Sequence, residues 1–266
     1  TTMSVAEFNT KLKHLFMCIP RRIDNMSKVL AKRQVEFQNL LASEQELFDI
    51  MVSRVRSNQK LNSFAERPTV LEAYDLDWRA VTEEEKSYIE KRLGSNRNQY
   101  LHAWKVNNRN TEKVFEKFCN EENLTEENGI SHLFHGSRNE NFWSIVTTGL
   151  NINPSNVVIT GKMFGNGTYF APLAQKSLGY TSRSGSYWAG GTAPTGFLAI
   201  YKVATGKEYN PQSSDSSLNW TNLQRKSPGA HCTWAHAGQC HLANDEVVVY
   251  KNEQSTIEYL IEMKAL

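Results

Sequence analysis

Three short segments hold residue types that could act together on a ligand. The first is His135-Gly136-Ser137-Arg138, directly after the apolar pair Leu133-Phe134. Gly136 can bring bare backbone N–H and C=O groups against a bound molecule. Ser137 adds a hydroxyl and His135 a switchable donor or acceptor, so the patch suits a carboxamide held flat. Taken alone, the same tetrapeptide reads more readily as a Gly-Ser turn beside an incidental histidine. The second segment is Gly165-Asn166-Gly167-Thr168-Tyr169-Phe170-Ala171, followed by Lys176-Ser177 and Tyr180. Two tyrosines eleven residues apart can flank a planar aromatic ring, each offering a π-face; ordinary packing in a strand–loop–helix unit gives the same pattern. The third is Asn244-Asp245-Glu246-Val247-Val248-Val249-Tyr250, a carboxylate at the start of an apolar run. An acid there either marks where a strand leaves solvent or serves as a site acid on a rigid strand end.

The common nucleotide motifs do not occur. There is no G-x-x-x-x-G-K-[ST], and the glycine-rich stretch Gly161–Gly167 is not G-x-G-x-x-G and precedes a strand instead of following one. His231, Cys232, His236, Cys240 and His241 crowd into eleven residues but form no C-x-x-C, so no metal ligand set is assigned.

The elements that must position these segments divide the chain in two. Residues 1–66 read as a short helical domain and 67–266 as the domain carrying the chemistry. Val5, Phe8, Leu12, Leu15, Phe16 and Ile19 recur at helical spacing, Pro20 interrupts, and a second stripe runs through Ile23, Met26, Leu30, Phe37, Leu40 and Leu41. Ser43 with Glu46 has the form of a capping box opening a third helix. The polar stretch ending at Arg67-Pro68 marks the boundary. Beyond it, Thr69–Tyr74 reads as a strand, Thr82–Leu93 as a helix, Tyr100–Val106 as a strand and Thr111–Glu121 as a helix. From Gly129 onward, short strands alternate with glycine-rich loops: Ser131–His135, Gly167–Phe170, Gly196–Ala204, Glu246–Lys251 and Thr256–Lys264. The polar link between the last two suggests a hairpin. Strand-rich, with single helices and no regular βαβ alternation, this is an α+β pattern with antiparallel sheets.

Composition limits the partners. Of 266 residues, 30 are Lys or Arg and 28 Asp or Glu, a net charge of +2 that calls for neither nucleic acid nor membrane. The first 67 residues carry eleven basic and seven acidic side chains, a mildly basic segment that leaves nucleic acid a possible but unsupported partner, since a binding site wants a tighter cluster. Four cysteines without a framework point to a reducing, intracellular compartment, cytoplasm or nucleus, and cytoplasm in a bacterium.

Read together and in order, the three segments resemble the catalytic domains of poly(ADP-ribose) polymerases, which are diphtheria-toxin-like ADP-ribosyltransferases with a His-Tyr-Glu site. That family carries His-Gly-Ser-Arg, then Gly-x-Met-Phe-Gly-x-Gly-x-Tyr-Phe-Ala, Lys-Ser-x-x-Tyr and an Asn-Glu-x-x-Val-Tyr strand. This chain supplies His135–Arg138, Gly161–Ala171, Lys176–Tyr180 and Asp245–Tyr250. The resemblance implies an ADP-ribosyltransferase fold of two antiparallel sheets over about residues 68–266, preceded by a shortened helical regulatory domain. It implies NAD as donor, with no metal, and transfer of ADP-ribose to protein acceptors including the protein itself. His135 is then expected to bond a ribose hydroxyl, and Gly136 the nicotinamide carboxamide with help from Ser177. Tyr180 would stack on the nicotinamide and Tyr169 close the opposite side. Ser137 and Asn141 would serve the adenosine side, and Lys176 would be the basic residue beside the site. Glu246 would stabilise the oxocarbenium-like charge that glycosyl transfer develops. His135, Tyr169 and Glu246 together favour polymer formation. Two departures bear on this: Asn244 stands where several polymerising members carry an aromatic, and Gly149–Ile152 lacks a basic residue common in the family. Mono-transfer, transfer to water and a catalytically silent NAD-binding module are the alternatives.

Overall fold

The computed structural model describes residues 3–18, 26, 29–60, 68–152 and 163–265. Pro20, Ile19 and Ile23 of the apolar stripes, the boundary residues 61–67, and Gly161-Lys162 of the glycine-rich motif lie outside the described residues. The chain falls into two compact units, Thr1–Pro68 and Thr69–Leu266.

In the first unit, α1 (Val5–Cys18) begins at a reciprocal cap. The Glu7 N–H donates to Ser4 Oγ at 3.2 Å, and the Ser4 N–H to Glu7 Oε2 at 2.8 Å. Phe8, Leu12 and Phe16 bury one face around Ala31, and Phe8 stacks on Phe37 with centroids 3.9 Å apart. Among the described residues of the second stripe, α-helix begins at Phe37. Gln34–Glu36 is a single 3-10 turn, and α2 runs unbroken from Phe37 to Lys60. The helix expected to open at Ser43 is therefore not separate: Ser43 lies inside α2, where the amide above it is already bonded along the helix and has no need of a cap.

In the second unit one expected strand is a helix. Thr69–Tyr74 is not a strand; Val70–Ala73 forms the short helix α3, capped when the Glu72 N–H donates to Thr69 Oγ1 at 3.2 Å. The local T-x-x-E cap outweighs the β-branched residues. The first sheet is antiparallel throughout, in the order β1 (Leu76–Ala80), β2 (Tyr100–Asn108), β9 (Ser255–Lys264), β5 (Thr195–Ala204), β3 (Ile130–Gly136). The second runs β4 (Thr168–Phe170), β8 (Glu246–Val249), β7 (Cys232–Ala235), β6 (Glu208–Tyr209), antiparallel except for the short β6–β7 pair. Helices α4 (Glu83–Leu93), α5 (Arg109–Glu122), α6 (Phe142–Thr148), α7 (Ala174–Leu178) and α8 (Trp220–Lys226) flank them. This is the expected α+β architecture of two sheets.

The link expected to be a hairpin is instead a corner. β8 and β9 belong to different sheets, and the chain passes between them through Asn252–Gln254. Gln254 is fully buried there. Its Oε1 accepts from the N–H groups of Tyr250 and Lys251, both at 3.0 Å, while Nε2 donates to the carbonyls of Ala204 and His231. A polar linker thus folds inward because every polar atom it buries is bonded.

One apolar cluster joins both sheets: Leu133, Tyr201, Val203 and Leu260 from the first meet Phe170, Val247, Val249 and Cys232 from the second. A second packs the far face of the first sheet against Ile89, Leu93, Ala174 and Leu178 of α4 and α7. Among the described residues no helix is long and apolar enough to cross a membrane.

Candidate functional site

The three segments converge where the two sheets touch. The edge strand β3 is joined to the end of β4 by a reciprocal backbone pair. The Phe134 N–H donates to the Ala171 carbonyl at 2.8 Å, and the Ala171 N–H to the Phe134 carbonyl at 2.9 Å. That junction places His135 beside Tyr169, and β4 in turn pairs with β8, setting Tyr169 opposite Val248 two residues from Glu246.

His135 Nδ1 lies 2.9 Å from the Tyr169 carbonyl oxygen. A carbonyl only accepts, so Nδ1 carries the proton and Nε2 is left as an acceptor in the neutral ring. Burial against Phe170 and Tyr201, whose ring centroids lie 5.7 and 6.0 Å away, holds the imidazole pKa below its ordinary value and so favours that neutral form.

Glu246 begins β8, paired with Ala235 of β7, and is 9% exposed. Its Oε2 accepts from Lys176 Nζ at 2.6 Å, and the same ammonium reaches the Asn244 carbonyl at 3.4 Å. Oε1 has no hydrogen-bond partner among the described residues. One carboxylate oxygen is therefore fixed from α7 and the other is open to a ligand.

Tyr169 is held by its hydroxyl, which accepts from the Phe164 N–H at 3.1 Å and donates to the Gly165 carbonyl at 2.9 Å. Burial and then the Glu246 charge raise its pKa. The Tyr180 phenol is pushed up to about 12 by burial and by the same carboxylate, so both tyrosines lie within the field of Glu246 and stay neutral.

The glycines of the motifs answer steric demands. A Cβ on Gly136 would stand 1.9 Å from the Ser177 carbonyl oxygen, so only glycine lets β3 pass this close to α7. Gly165 takes φ +76°, and a Cβ there would stand 1.9 Å from the Leu218 carbonyl oxygen. Ser177 is buried, and its hydroxyl donates to the Phe134 carbonyl at 3.1 Å, so that proton already braces the sheet junction. Toward a ligand the hydroxyl can only accept. Asn141 Nδ2 donates to Ser137 Oγ at 3.0 Å, which joins these two in the turn between β3 and α6.

The structure thus brings His135, Gly136, Tyr169, Lys176, Ser177, Tyr180 and Glu246 together, with Ser137 and Asn141 on the adjoining turn. The crowded His231–His241 segment disperses instead. Cys232 is buried in β7, His231 faces Glu122, His236 faces Asp245, and Cys240 Sγ donates to the Pro211 carbonyl. Among the described residues no group of three His, Cys, Asp or Glu side chains is arranged to hold a metal.

Two neighbours escaped the sequence reading. Tyr201 is buried beside His135, and its hydroxyl has no partner among the described residues. One aromatic in an apolar strand carries no signal of that kind. Trp188 stacks near Tyr180, and its signal was the pair Tyr187-Trp188 in an otherwise Ser- and Gly-rich stretch.

The arrangement suits a planar amide ring and a sugar. It offers two neutral tyrosines, a histidine acceptor for a hydroxyl, and a carboxylate with one free oxygen toward developing positive charge. Comparison with known proteins agrees in kind. The model of the poly(ADP-ribose) polymerase catalytic domain matches residues 83–265. A poly(ADP-ribose) polymerase-like protein of Invertebrate iridescent virus 6 is 33% identical over 135 residues, 49% of this chain and 69% of that protein. Poly [ADP-ribose] polymerase 2 of Zea mays is 30% identical over 62% of this chain, and poly [ADP-ribose] polymerase 1 of Gallus gallus 29% over 50%. Those matches span only 24% and 14% of the plant and chicken proteins.

Proposed function

Since this chain belongs to the poly(ADP-ribose) polymerase catalytic-domain family, we propose that it transfers ADP-ribose from NAD to protein acceptors, itself among them. NAD supplies the ADP-ribose when the bond between its ribose C1 and nicotinamide breaks, the nicotinamide leaving with the electron pair. His135, through Nε2, accepts a hydrogen bond from a ribose hydroxyl. Tyr169 and Tyr180 confine the ring, and the Gly136 backbone meets its carboxamide. Ser137 and Asn141 serve the adenosine side. Glu246, steadied by Lys176, turns Oε1 toward the ribose and stabilises the charge at C1. The acceptor oxygen bonds to C1, and its proton passes by way of Glu246 to water.

The observation that carries this reading is the split carboxylate of Glu246, with Oε2 tied to Lys176 at 2.6 Å and Oε1 free. The His-Tyr-Glu set favours extension into oligomers or polymers. A single transfer is the second reading, and Asn244, in place of an aromatic two residues before Glu246, favours it. Incubation with labelled NAD and a denaturing gel separates these. A ladder or smear supports chain extension and one sharp labelled band supports single transfer. Free ADP-ribose with no labelled protein overturns transfer itself.

A further inference from the structure

Beside the site lies an ordered loop that holds two large aromatic rings in solvent. Tyr187 is 81% exposed and Trp188 58%. The loop is not loosely tethered. The N–H groups of Trp188 and Ala189 both donate to the Gly179 carbonyl, at 2.9 and 3.0 Å. Arg138, from the His-Gly-Ser-Arg segment, donates to the Ala189 carbonyl at 3.2 Å. The loop stem closes through Ser184 N–H to the Ala193 carbonyl at 2.7 Å and Ala193 N–H to the Ser182 carbonyl at 2.9 Å. Contact with α7 is tight enough that a Cβ on Gly179 would stand 2.8 Å from Trp188 Cδ1.

This framework fixes where the rings go. Trp188 lies nearly parallel to Tyr180, with centroids 6.1 Å apart and planes inclined by 18°. Tyr187 meets Trp188 edge-on, with centroids 4.7 Å apart at 89°. Both arrangements are favourable for aromatic quadrupoles. Much of both rings stays in solvent, and the ring contact the loop makes with the site is that of Trp188 with Tyr180. The phenol of Tyr180 makes no hydrogen bond among the described residues that would fix its plane, unlike that of Tyr169.

We propose that Trp188 is a positioning residue of the donor pocket, stacking on Tyr180 so that the opposite face of that ring is presented to the nicotinamide, with Tyr187 bracing Trp188. The inference rests on the NAD-site reading above. It makes Trp188 a determinant of affinity for flat aromatic amides and not of the bond-breaking step. Losing one aromatic pair should weaken ring binding by about 3- to 10-fold.

The test is benzamide binding by calorimetry, together with KM and kcat for NAD, in wild type, Trp188→Ala, Trp188→Phe and Tyr187→Ala. Trp188→Ala should raise the benzamide Kd and the NAD KM together by about 3- to 10-fold while kcat changes less than about 2-fold. Trp188→Phe keeps a stacking ring and should restore most of the affinity, and Tyr187→Ala should have the smaller effect. Benzamide binding that Trp188→Ala leaves unchanged or tightens overturns the role of Trp188 alone. Failure of the wild type to bind benzamide overturns the donor-site reading and this inference with it.

Discussion

Lys176→Met tests how the site acid is held. The ammonium stands 2.6 Å from Glu246 Oε2, and the two side chains are only 13% and 12% exposed, so solvent screens the pair far less than a surface ion pair. A hydrogen bond to a charged group is worth about 1.5–3 kcal/mol, which corresponds to roughly 10- to 150-fold in rate if it is expressed fully in the transition state. Lys176 reaches the substrate only through Glu246 in this account, so its effect must depend on that carboxylate. Glu246→Gln alone should cost at least about 100-fold in turnover. Adding Lys176→Met to Glu246→Gln should then cost little more, less than about 3-fold. Initial rates of nicotinamide release at saturating NAD, measured for the four proteins of the cycle, give the coupling directly. Losses that multiply across the two sites would refute the argument, because Lys176 would then act independently of Glu246. Lys176→Arg, which can still donate to the carboxylate, should fall between wild type and Lys176→Met.

Gly136→Ala should abolish stabilisation by benzamide-like compounds, since its Cβ has only 1.9 Å to the Ser177 carbonyl oxygen; a melting-temperature rise with benzamide equal to wild type would contradict this. Tyr201→Phe removes a buried hydroxyl that has no partner among the described residues, so stability should be unchanged or slightly higher. A fall of more than about 1 kcal/mol in urea unfolding would instead place a bonded water there. His132 sits with Nδ1 2.6 Å from Glu258 and Nε2 2.9 Å from Glu126. The Glu258 bond raises its pKa, against burial and with help from Glu126. Its contribution to stability should be full below about pH 6.5 and fade as pH rises through the raised folded value. Glu258 works in the other direction. Burial raises its carboxyl, but hydrogen bonds to His132 and Lys105 outweigh that and leave it lowered. Its contribution is present above about pH 4.3 and lost as pH falls through the lowered folded value. Urea midpoints from pH 5 to 9 should therefore decline more steeply on the alkaline side in wild type than in His132→Gln, and parallel curves would refute the role.

Much of the site was legible because its motifs answer local demands. Gly136 and Gly165 are required by close backbone approaches, and the Thr82–Glu85 cap declares the start of α4 in four residues. What escaped was set partly by a local cap and partly by tertiary context. Thr69–Tyr74 has strand-like composition, yet a Thr69–Glu72 cap turns it into a helix turn. The polar run after Tyr250 looks like a hairpin loop, but Gln254 is drawn inside by four bonds, two of them to the distant carbonyls of Ala204 and His231. Ser177 was read as a ligand contact, and nothing in Lys-Ser-x-x-Tyr tells that its proton is directed to the Phe134 carbonyl at 3.1 Å. The strands β1, β6 and β7 went unread. At two to five residues they show too little periodicity to separate from loops, and unlike β4 and β8 they carry no site motif.

The charge of Glu246 should stabilise the bond-breaking transition state more than it helps NAD bind. Single-turnover transfer from labelled NAD by wild type and Glu246→Gln, with NAD affinity measured in parallel, tests it most directly. The Glu246→Gln rate should be lower by at least about 100-fold, with affinity changed less than about 5-fold. Near-wild-type transfer by Glu246→Gln, or a loss explained wholly by weaker NAD binding, would contradict it.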